Sequence, residues 1–137
     1  MNSIYFDEAI KESSKCRKYD DVPVGAIIVR NGKIIAKSHN TRTKSNKIIA
    51  HAEVNAIIKA NRKIKNYFLY DCDLYVTLEP CSMCRRVINN SRIRNVYYLM
   101  KKDESKKEYE KTTYQQVDSA RLGIYSKIMK KFFDKLR

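Results

Sequence analysis

The stretch that decides the fold is residues 73–90, DLYVTLEPCSMCRRVINN. Its first part is rich in β-branched and aromatic side chains, which predicts a strand over Asp73–Leu78. Pro80 ends that strand because it lacks a backbone N–H, and its fixed φ favours the first turn of a helix. A helix is predicted from Cys81 to about Asn90, so the strand leads directly into a helix that begins with two cysteines.

A helix and a hairpin are predicted upstream of this unit. Apolar residues at helical spacing predict a helix over Ser3–Tyr19. The apolar runs Val22–Arg30 and Lys33–His39 flank the dipeptide Asn31-Gly32. Asn-Gly favours a two-residue hairpin turn because both of its positions need positive φ.

The other segments continue an alternation of helix and strand. In chain order they are the polar loop Thr41–Lys47, the helix Ala50–Arg62, the strand Arg94–Met100, the charged and solvated segment Lys101–Lys111, the weak strand Thr112–Val117 and the helix Leu122–Leu136. The predicted apolar faces of the two helices are Val54, Ile57 and Ile58 in the first, and Ile124, Ile128, Phe132 and Leu136 in the second. This order of elements predicts an α/β layer fold.

Length and charge narrow the class of protein. The chain has 137 residues, which suits one domain. No apolar run approaches the ~20 residues needed to cross a bilayer, and the N-terminal residues show no apolar leader. We therefore expect a soluble, cytoplasmic protein without a membrane partner. The 29 Lys and Arg against 15 Asp and Glu leave a net charge of +14, which predicts either a polyanionic partner or a solvated cationic surface.

Two helix starts carry the residues that predict chemistry. Cys81 and Cys84 are three residues apart, so they lie on one helix face and suit a single metal ion. A helix N-terminus lowers the pKa of a thiol and thereby favours the metal-binding thiolate. His51, at the start of the preceding helix, supplies a third ligand. Three protein ligands on a tetrahedral zinc ion leave a fourth position for water, whose pKa falls toward ~7.

Glu53 is the predicted proton carrier beside this ion. It lies two residues after His51, and on a regular helix the two side chains diverge by roughly 200°. Both can face one ion only if His51 sits at the very start of the helix.

The cysteines also allow other interpretations. Four cysteines can form two disulfides, although no secretory signal favours them. A structural zinc ion would take its fourth ligand from Cys72 or His39, but Glu53 would then have no use. Cys16 and Cys72 lie among apolar residues and are predicted to be ordinary buried thiols.

Three further strings extend the pattern of H-x-E and P-C-x-x-C, which zinc nucleobase deaminases share. They are DVPVGA at 21–26, LYVTLEPC at 74–81 and SRI at 91–93. Together these motifs resemble the tRNA adenosine deaminases, which convert the wobble adenosine of an anticodon to inosine. The resemblance covers most of the first hundred residues and, more loosely, Phe132-Phe133 with its surrounding cations.

The resemblance implies a three-layer fold like that of the cytidine deaminases, with a mixed five-stranded sheet flanked by helices. It implies a single zinc-dependent deaminase domain over residues 1–137, one zinc ion per subunit, a homodimer, and the tRNA anticodon stem-loop as partner. By position it assigns zinc binding to His51, Cys81 and Cys84, proton transfer to Glu53, hydrogen bonding of the flipped base to Asn40, and the lining of the base pocket to Pro23 and Val24.

The chain also departs from this family pattern. Arg85 and Arg86 follow the second cysteine, where the family usually has small residues, and Lys102 stands where an acidic residue commonly contacts RNA. Two alternatives therefore stay open. One is a deaminase of a free nucleotide, nucleoside or base, such as deoxycytidylate, cytidine or guanine. The other is a zinc-stabilised RNA-binding subunit without turnover, which would have no need of Glu53.

Overall fold

A mixed sheet forms the centre of the computed structural model, which describes residues 2–102 and 112–136. Its five strands are β1 (Gly25–Arg30), β2 (Lys33–His39), β3 (Cys72–Leu78), β4 (Asn95–Met100) and β5 (Thr113–Gln116). Their order in the sheet is β2-β1-β3-β4-β5. β1 is antiparallel to β2 and to β3, whereas β3, β4 and β5 run parallel.

Helices cover both faces of this sheet. They are α1 (Asn2–Ser14), α2 (Arg42–Ser45), α3 (Ala52–Ile64), α4 (Ser82–Ser91) and α5 (Arg121–Lys135), with a short 3-10 helix over Lys15–Tyr19. α3 and α4 pack on one face, while α1 and α5 pack on the other. The α/β fold with a mixed five-stranded sheet flanked by helices is therefore confirmed. Over the described ranges, no helix combines the length and the apolar character that a membrane span requires.

Alternate residues of β1 contribute to two separate cores. Ala26 and Ile28 pack with α3 and α4, whereas Ile27 and Val29 pack with α1 and with Tyr125 of α5. This period of two follows from the pleat of a strand, whose successive side chains point to opposite faces. The starts of α3 and α4 consequently share one face of the sheet, beside the carboxyl end of β3.

The predicted apolar faces of α3 and α5 are wrong in part. Ile58 of α3 is 41% exposed, and Ile124 and Leu136 of α5 are 55% and 60% exposed. The buried residue of α5 is Tyr125, whose hydroxyl group donates a hydrogen bond to the carbonyl oxygen of Pro23 at 2.7 Å. This long-range hydrogen bond orients α5, and the spacing of apolar residues along the helix cannot show it.

The predicted loop Thr41–Lys47 contains a one-turn helix, α2. Buried Asp21 stabilises it, because its carboxylate accepts hydrogen bonds from the backbone N–H groups of Thr43 at 2.7 Å and Lys44 at 3.3 Å. A turn this short has no apolar periodicity, so the sequence pattern does not reveal it. The predicted solvated segment Lys101–Lys111 lies, apart from its first two residues, outside the described residues.

Gly25 lies at a close approach between β1 and α1. A Cβ atom at this position would overlap the carbonyl oxygen of Ala9 and would lie 2.8 Å from the backbone nitrogen of Ser13. The Gly25 N–H group also donates a hydrogen bond to the hydroxyl oxygen of Thr77 at 3.2 Å. Glycine therefore lets α1 lie directly on the strand that leads away from Val24.

We expect Gly25→Ala to lower the free energy of unfolding by about 3 kcal/mol or more, because backbone atoms rather than a flexible side chain must move. Gly123 in α5 is the matched control, since nothing lies within 4 Å of its Cβ position. Gly123→Ala should raise the free energy of unfolding by about 0.5–1 kcal/mol. Urea unfolding measures both changes. A Gly25→Ala variant as stable as the parent protein would contradict the close approach.

Candidate metal centre and active site

His51 occupies the N-cap position of α3, immediately before the first helical residue. Its backbone is extended, with φ −72° and ψ 153°, and its side chain makes no capping hydrogen bond. The side-chain oxygen of Asn40 accepts a hydrogen bond from the free N–H group of Ala52 at 2.7 Å instead. Because His51 lies outside the helix, its ring and the Glu53 side chain can face the same space.

Cys81 occupies the equivalent position in α4. Its backbone is also extended, with φ −71° and ψ 171°, and its side chain also makes no capping hydrogen bond. Cys84 is the third residue of this helix, and the N-cap and third positions face each other, as they do in a capping box. Pro80 precedes the N-cap and so lies outside the helix rather than in its first turn. One helix start therefore presents two thiols to the same point.

The ligand atoms of His51, Cys81 and Cys84 all lie within 4.8 Å of one another. Cys81 Sγ is 4.0 Å from His51 Nδ1. Bonds of about 2.3 Å to sulfur and about 2.1 Å to nitrogen at a tetrahedral zinc ion imply an N···S separation of about 3.6 Å. One nitrogen and two sulfur donors also match the ligand set of a known class of catalytic zinc sites. The three residues therefore fit a zinc ion.

A hydrogen bond couples the two thiols of this cluster and shifts their pKa values in opposite directions. Hydrogen bonds from Cys84 and from His51 lower the pKa of Cys81 to about 3. The hydrogen bond to Cys81, together with burial, raises the pKa of Cys84. Cys81 is therefore the thiol of the pair that loses its proton more readily, and a metal ion that binds both sulfur atoms displaces the protons that remain on them.

Glu53 is buried and lines the same pocket as His51 and Cys81. Burial is the largest cause of the raised pKa of its carboxyl group, and a hydrogen bond from its own backbone N–H group partly offsets this effect. A carboxyl group whose pKa is raised above its ordinary value is better suited to take up a proton and to release it again.

A pocket of about 130 Å³ opens onto this cluster. Its lining residues are Val22, Val24, Asn40, Arg42, His51, Glu53, Leu78, Glu79, Cys81 and Lys102. The structure thus brings Val24 and Asn40, two of the three predicted base-binding residues, to the same pocket as Glu53. Pro23 is buried, and its carbonyl oxygen accepts the hydrogen bond from Tyr125. The lining at this point comes from the neighbours of Pro23 on either side.

Asn40 connects the pocket to the start of α3. Its side-chain oxygen accepts the hydrogen bond from Ala52, and its side-chain nitrogen donates one to the carbonyl oxygen of Val22 at 3.0 Å. An amide side chain has two donor hydrogens and an oxygen with two lone pairs, so one of each remains. Asn40 therefore fixes the helix start and still has polar groups left for a molecule in the pocket.

The other histidine and the other cysteines have separate surroundings. His39 Nδ1 lies 3.0 Å from Glu12 Oε1, and this contact is the main cause that lowers the pKa of Glu12 to about 2. Burial is the main cause that raises the pKa of Cys16 and of Cys72 to about 11. All four cysteines are free thiols. In the described part of the chain, neither His39 nor Cys72 joins the three-residue cluster as the fourth ligand of a structural zinc ion.

Sequence reasoning missed two charged side chains of the pocket, Arg42 and Glu79. Arg42 belongs to α2, the short helix without a recognisable pattern. For the Glu79 side chain, the one signal in the sequence is its position between the end of a strand and Pro80. Arg42 also lines an adjoining cavity of about 370 Å³, which extends past Lys47.

Comparison with known protein families gives the class of this protein. A family model of the cytidine and deoxycytidylate deaminase zinc-binding region matches residues 1–100. That span contains His51, Glu53, Cys81 and Cys84. The chain therefore belongs to the cytidine and deoxycytidylate deaminase family, whose zinc-binding region it carries.

Individual relatives show which members of this family the chain is similar to. The tRNA-specific adenosine deaminase of Streptococcus pyogenes serotype M18 is 44% identical over 94 residues, which are 69% of this chain and 59% of that protein. A solved structure from work on A-to-I editing by tRNA:A34 deaminases at the wobble position of transfer RNA matches with a TM-score of 0.78 at 30% identity, over 85% of this chain and 98% of that one. Guanine deaminase from Bacillus subtilis matches with a TM-score of 0.71 at 28% identity, over 96% of this chain and 94% of that one. The chain spans about three fifths of the length of the curated relatives it matches.

Proposed function

We propose that this chain, as a single deaminase domain over residues 1–137, converts adenosine to inosine in tRNA at the wobble position of the anticodon. The observation that carries the proposal is the convergence of His51, Cys81 and Cys84, with buried Glu53 beside them, at one pocket. The 44% identity to a tRNA-specific adenosine deaminase supports the choice of substrate.

The residues of the pocket have different roles in the proposed reaction. His51, Cys81 and Cys84 would hold zinc, which when bound supplies as nucleophile a water molecule whose pKa falls toward ~7. Glu53 accepts a proton from the attacking water and delivers it toward the adenine ring and the departing amine. A bond forms between the water oxygen and C6 of adenine, and the bond from C6 to the exocyclic amine nitrogen then breaks. Adenosine and water thus give inosine and ammonia.

The shape of the pocket favours a nucleotide that has left its stack. At about 130 Å³ it is narrow, with Val24 and Leu78 as apolar walls and the Asn40 amide as a polar contact. A base inside a duplex cannot reach such a site, and the cost of unstacking is smallest in a single-stranded loop. An anticodon loop meets this requirement.

Cations around the pocket suit a nucleic acid. Arg42 and Lys102 line it, and Lys47 lines the adjoining cavity. The Lys44 ammonium group lies 5.4 Å from the centroid of the Tyr19 ring at the same side of the molecule. Such groups bind the phosphates on either side of a reacting nucleotide, whereas a free base gives them nothing to bind.

We also propose that the protein is a cytoplasmic homodimer. Four free thiols suit a reducing compartment. Ile48 and Ile49, which closely precede His51, are 74% and 52% exposed. An exposed apolar pair at the edge of a site is a surface that a second subunit would cover.

The test is incubation of the zinc-loaded protein with a tRNA anticodon stem-loop that carries a wobble adenosine, and separately with deoxycytidylate, cytidine and guanine. We expect inosine and ammonia from the stem-loop and no ammonia from the free compounds. A stem-loop with guanosine at the wobble position is the matched control. Light scattering on the same preparation measures the oligomeric state.

Two results would overturn the proposal. Ammonia from a free compound, together with an unchanged stem-loop, would identify a free-substrate deaminase. Binding of the stem-loop without ammonia from any of the four compounds would identify a non-catalytic RNA-binding subunit.

A further inference from the structure

The carboxylate of Glu79 is held in the pocket wall by two different parts of the chain. Its Oε2 atom accepts a hydrogen bond from the Arg85 guanidinium group at 2.8 Å, and its Oε1 atom accepts one from the backbone N–H group of Lys102 at 3.0 Å. The Glu79 backbone N–H group in addition donates to the carbonyl oxygen of Met100 at 2.9 Å. Glu79 and Lys102 both line the pocket, so these contacts determine where one of its walls lies.

Arg85 contacts this carboxylate from the side that faces away from the pocket, and it is not one of the lining residues. It belongs to α4, directly follows Cys84, and is 9% exposed. Its guanidinium carbon lies 4.1 Å from the centroid of the Tyr114 ring in β5, and the Tyr114 hydroxyl group donates a hydrogen bond to Asn89 of α4 at 3.1 Å. A planar guanidinium group can stack on a ring and donate to a carboxylate at the same time, which a lysine cannot do equally well.

The negative charge of Glu79 makes its ion pair with Arg85 important, because the carboxylate is buried. Glu79 is 8% exposed, and a buried carboxylate that loses its cation becomes an uncompensated charge. Burial, together with the Glu79 charge, already raises the pKa of the neighbouring Tyr98. Without Arg85 the carboxylate would turn toward solvent, and the Lys102 backbone that it holds would move with it.

We propose that Arg85 is a positioning residue for the substrate: it fixes the Glu79 carboxylate and, through it, the Lys102 backbone, and so sets the pocket wall against which the base binds. Arg85 is separated from the pocket by Glu79 and touches no reacting atom. Its loss should therefore weaken substrate binding and leave the chemical step intact. The inference rests on the proposed function for the choice of substrate.

The experiment compares the parent protein with Arg85→Met, with Arg85→Met combined with Glu79→Gln, and with Arg62→Ala. Arg85→Met removes the cation and keeps an extended side chain, and we expect KM for the stem-loop to rise about tenfold or more. The rate constant kcat and the zinc content should stay within about twofold of the parent values.

The double variant tests whether Arg85 acts through Glu79. The amide oxygen of a glutamine at position 79 still accepts the Lys102 N–H group and needs no cation, so KM should return to within about threefold of the parent value. Arg62 is exposed in the last turn of α3, so Arg62→Ala removes the same charge away from the pocket and should leave KM unchanged.

Several outcomes would overturn the inference. They are an unchanged KM in Arg85→Met, no recovery in the double variant, and a loss confined to kcat or to zinc content. If Arg85→Met does not fold, the double variant, which removes both charges of the Arg85–Glu79 pair, is compared with Arg85→Lys. The double variant should then have the lower KM, because lysine loses the stacked geometry. If the parent protein leaves the stem-loop unchanged, the proposed function fails, and the same KM comparison is made on the free compound that it deaminates.

Discussion

Glu53→Ala should lower kcat for deamination of the stem-loop by about 10³-fold or more and leave one zinc ion bound per chain. The side chain is buried beside the ligand residues, and its carboxyl group has a raised pKa. Its removal takes away the proposed proton carrier, while His51, Cys81 and Cys84 should keep their positions. Single-turnover kinetics measures the rate, and elemental analysis measures the zinc.

Glu8→Ala is the matched control for this change. Glu8 lies on α1 and pairs with Lys11 and Lys37 at the surface, so its loss should leave both rate and zinc content unaltered. Glu53→Gln should be as slow as Glu53→Ala, because an amide cannot accept the proton. Near-normal turnover in either Glu53 variant would mean that another group carries the proton.

Cys81→Ser should abolish zinc binding under conditions in which the parent protein is saturated, and activity should disappear with the metal. After the substitution, only His51 and Cys84 remain of the three proposed ligand side chains. A hydroxyl group is also a far weaker zinc ligand than a thiolate. The affinity should fall by more than about 100-fold, which exceeds the loss typical of residues behind the ligands. Competition with a chromogenic chelator measures the affinity.

Cys72→Ser is the control for the chemical change itself, since Cys72 is a buried thiol at the start of β3. It should lose some stability and keep its zinc. Cys81→Ser should remain folded in the metal-free state, because serine is a favourable residue at a helix N-cap. Full zinc occupancy in Cys81→Ser would show that the ligand assignment is wrong.

The parts of the structure that could be predicted are those set by local patterns. The hairpin turn at Asn31-Gly32, the strand that leads into Pro80, and the two helix starts all follow from neighbouring residues. The juxtaposition of His51 and Glu53 could be predicted for the same reason, because the N-cap geometry of α3 removes the divergence expected on a regular helix.

The parts that could not be predicted depend on contacts between distant residues. α5 buries Tyr125 rather than its regular apolar stripe because that hydroxyl group meets Pro23. α2 forms because Asp21 satisfies its first N–H groups. The pocket wall likewise depends on Arg85 meeting Glu79 across the fold, and no spacing within the chain reveals that pairing.

The two helix starts at His51 and Cys81 also imply a conflict between stability and function. Serine, threonine, aspartate or asparagine at an N-cap typically contributes about 1 kcal/mol. In the metal-free chain, histidine and cysteine at these two positions give up part of that stabilisation, although Asn40 already satisfies one N–H group of α3. A bound zinc ion stabilises the folded state in its place, so selection for heat resistance would favour substitutions at these two positions only if it were carried out without metal.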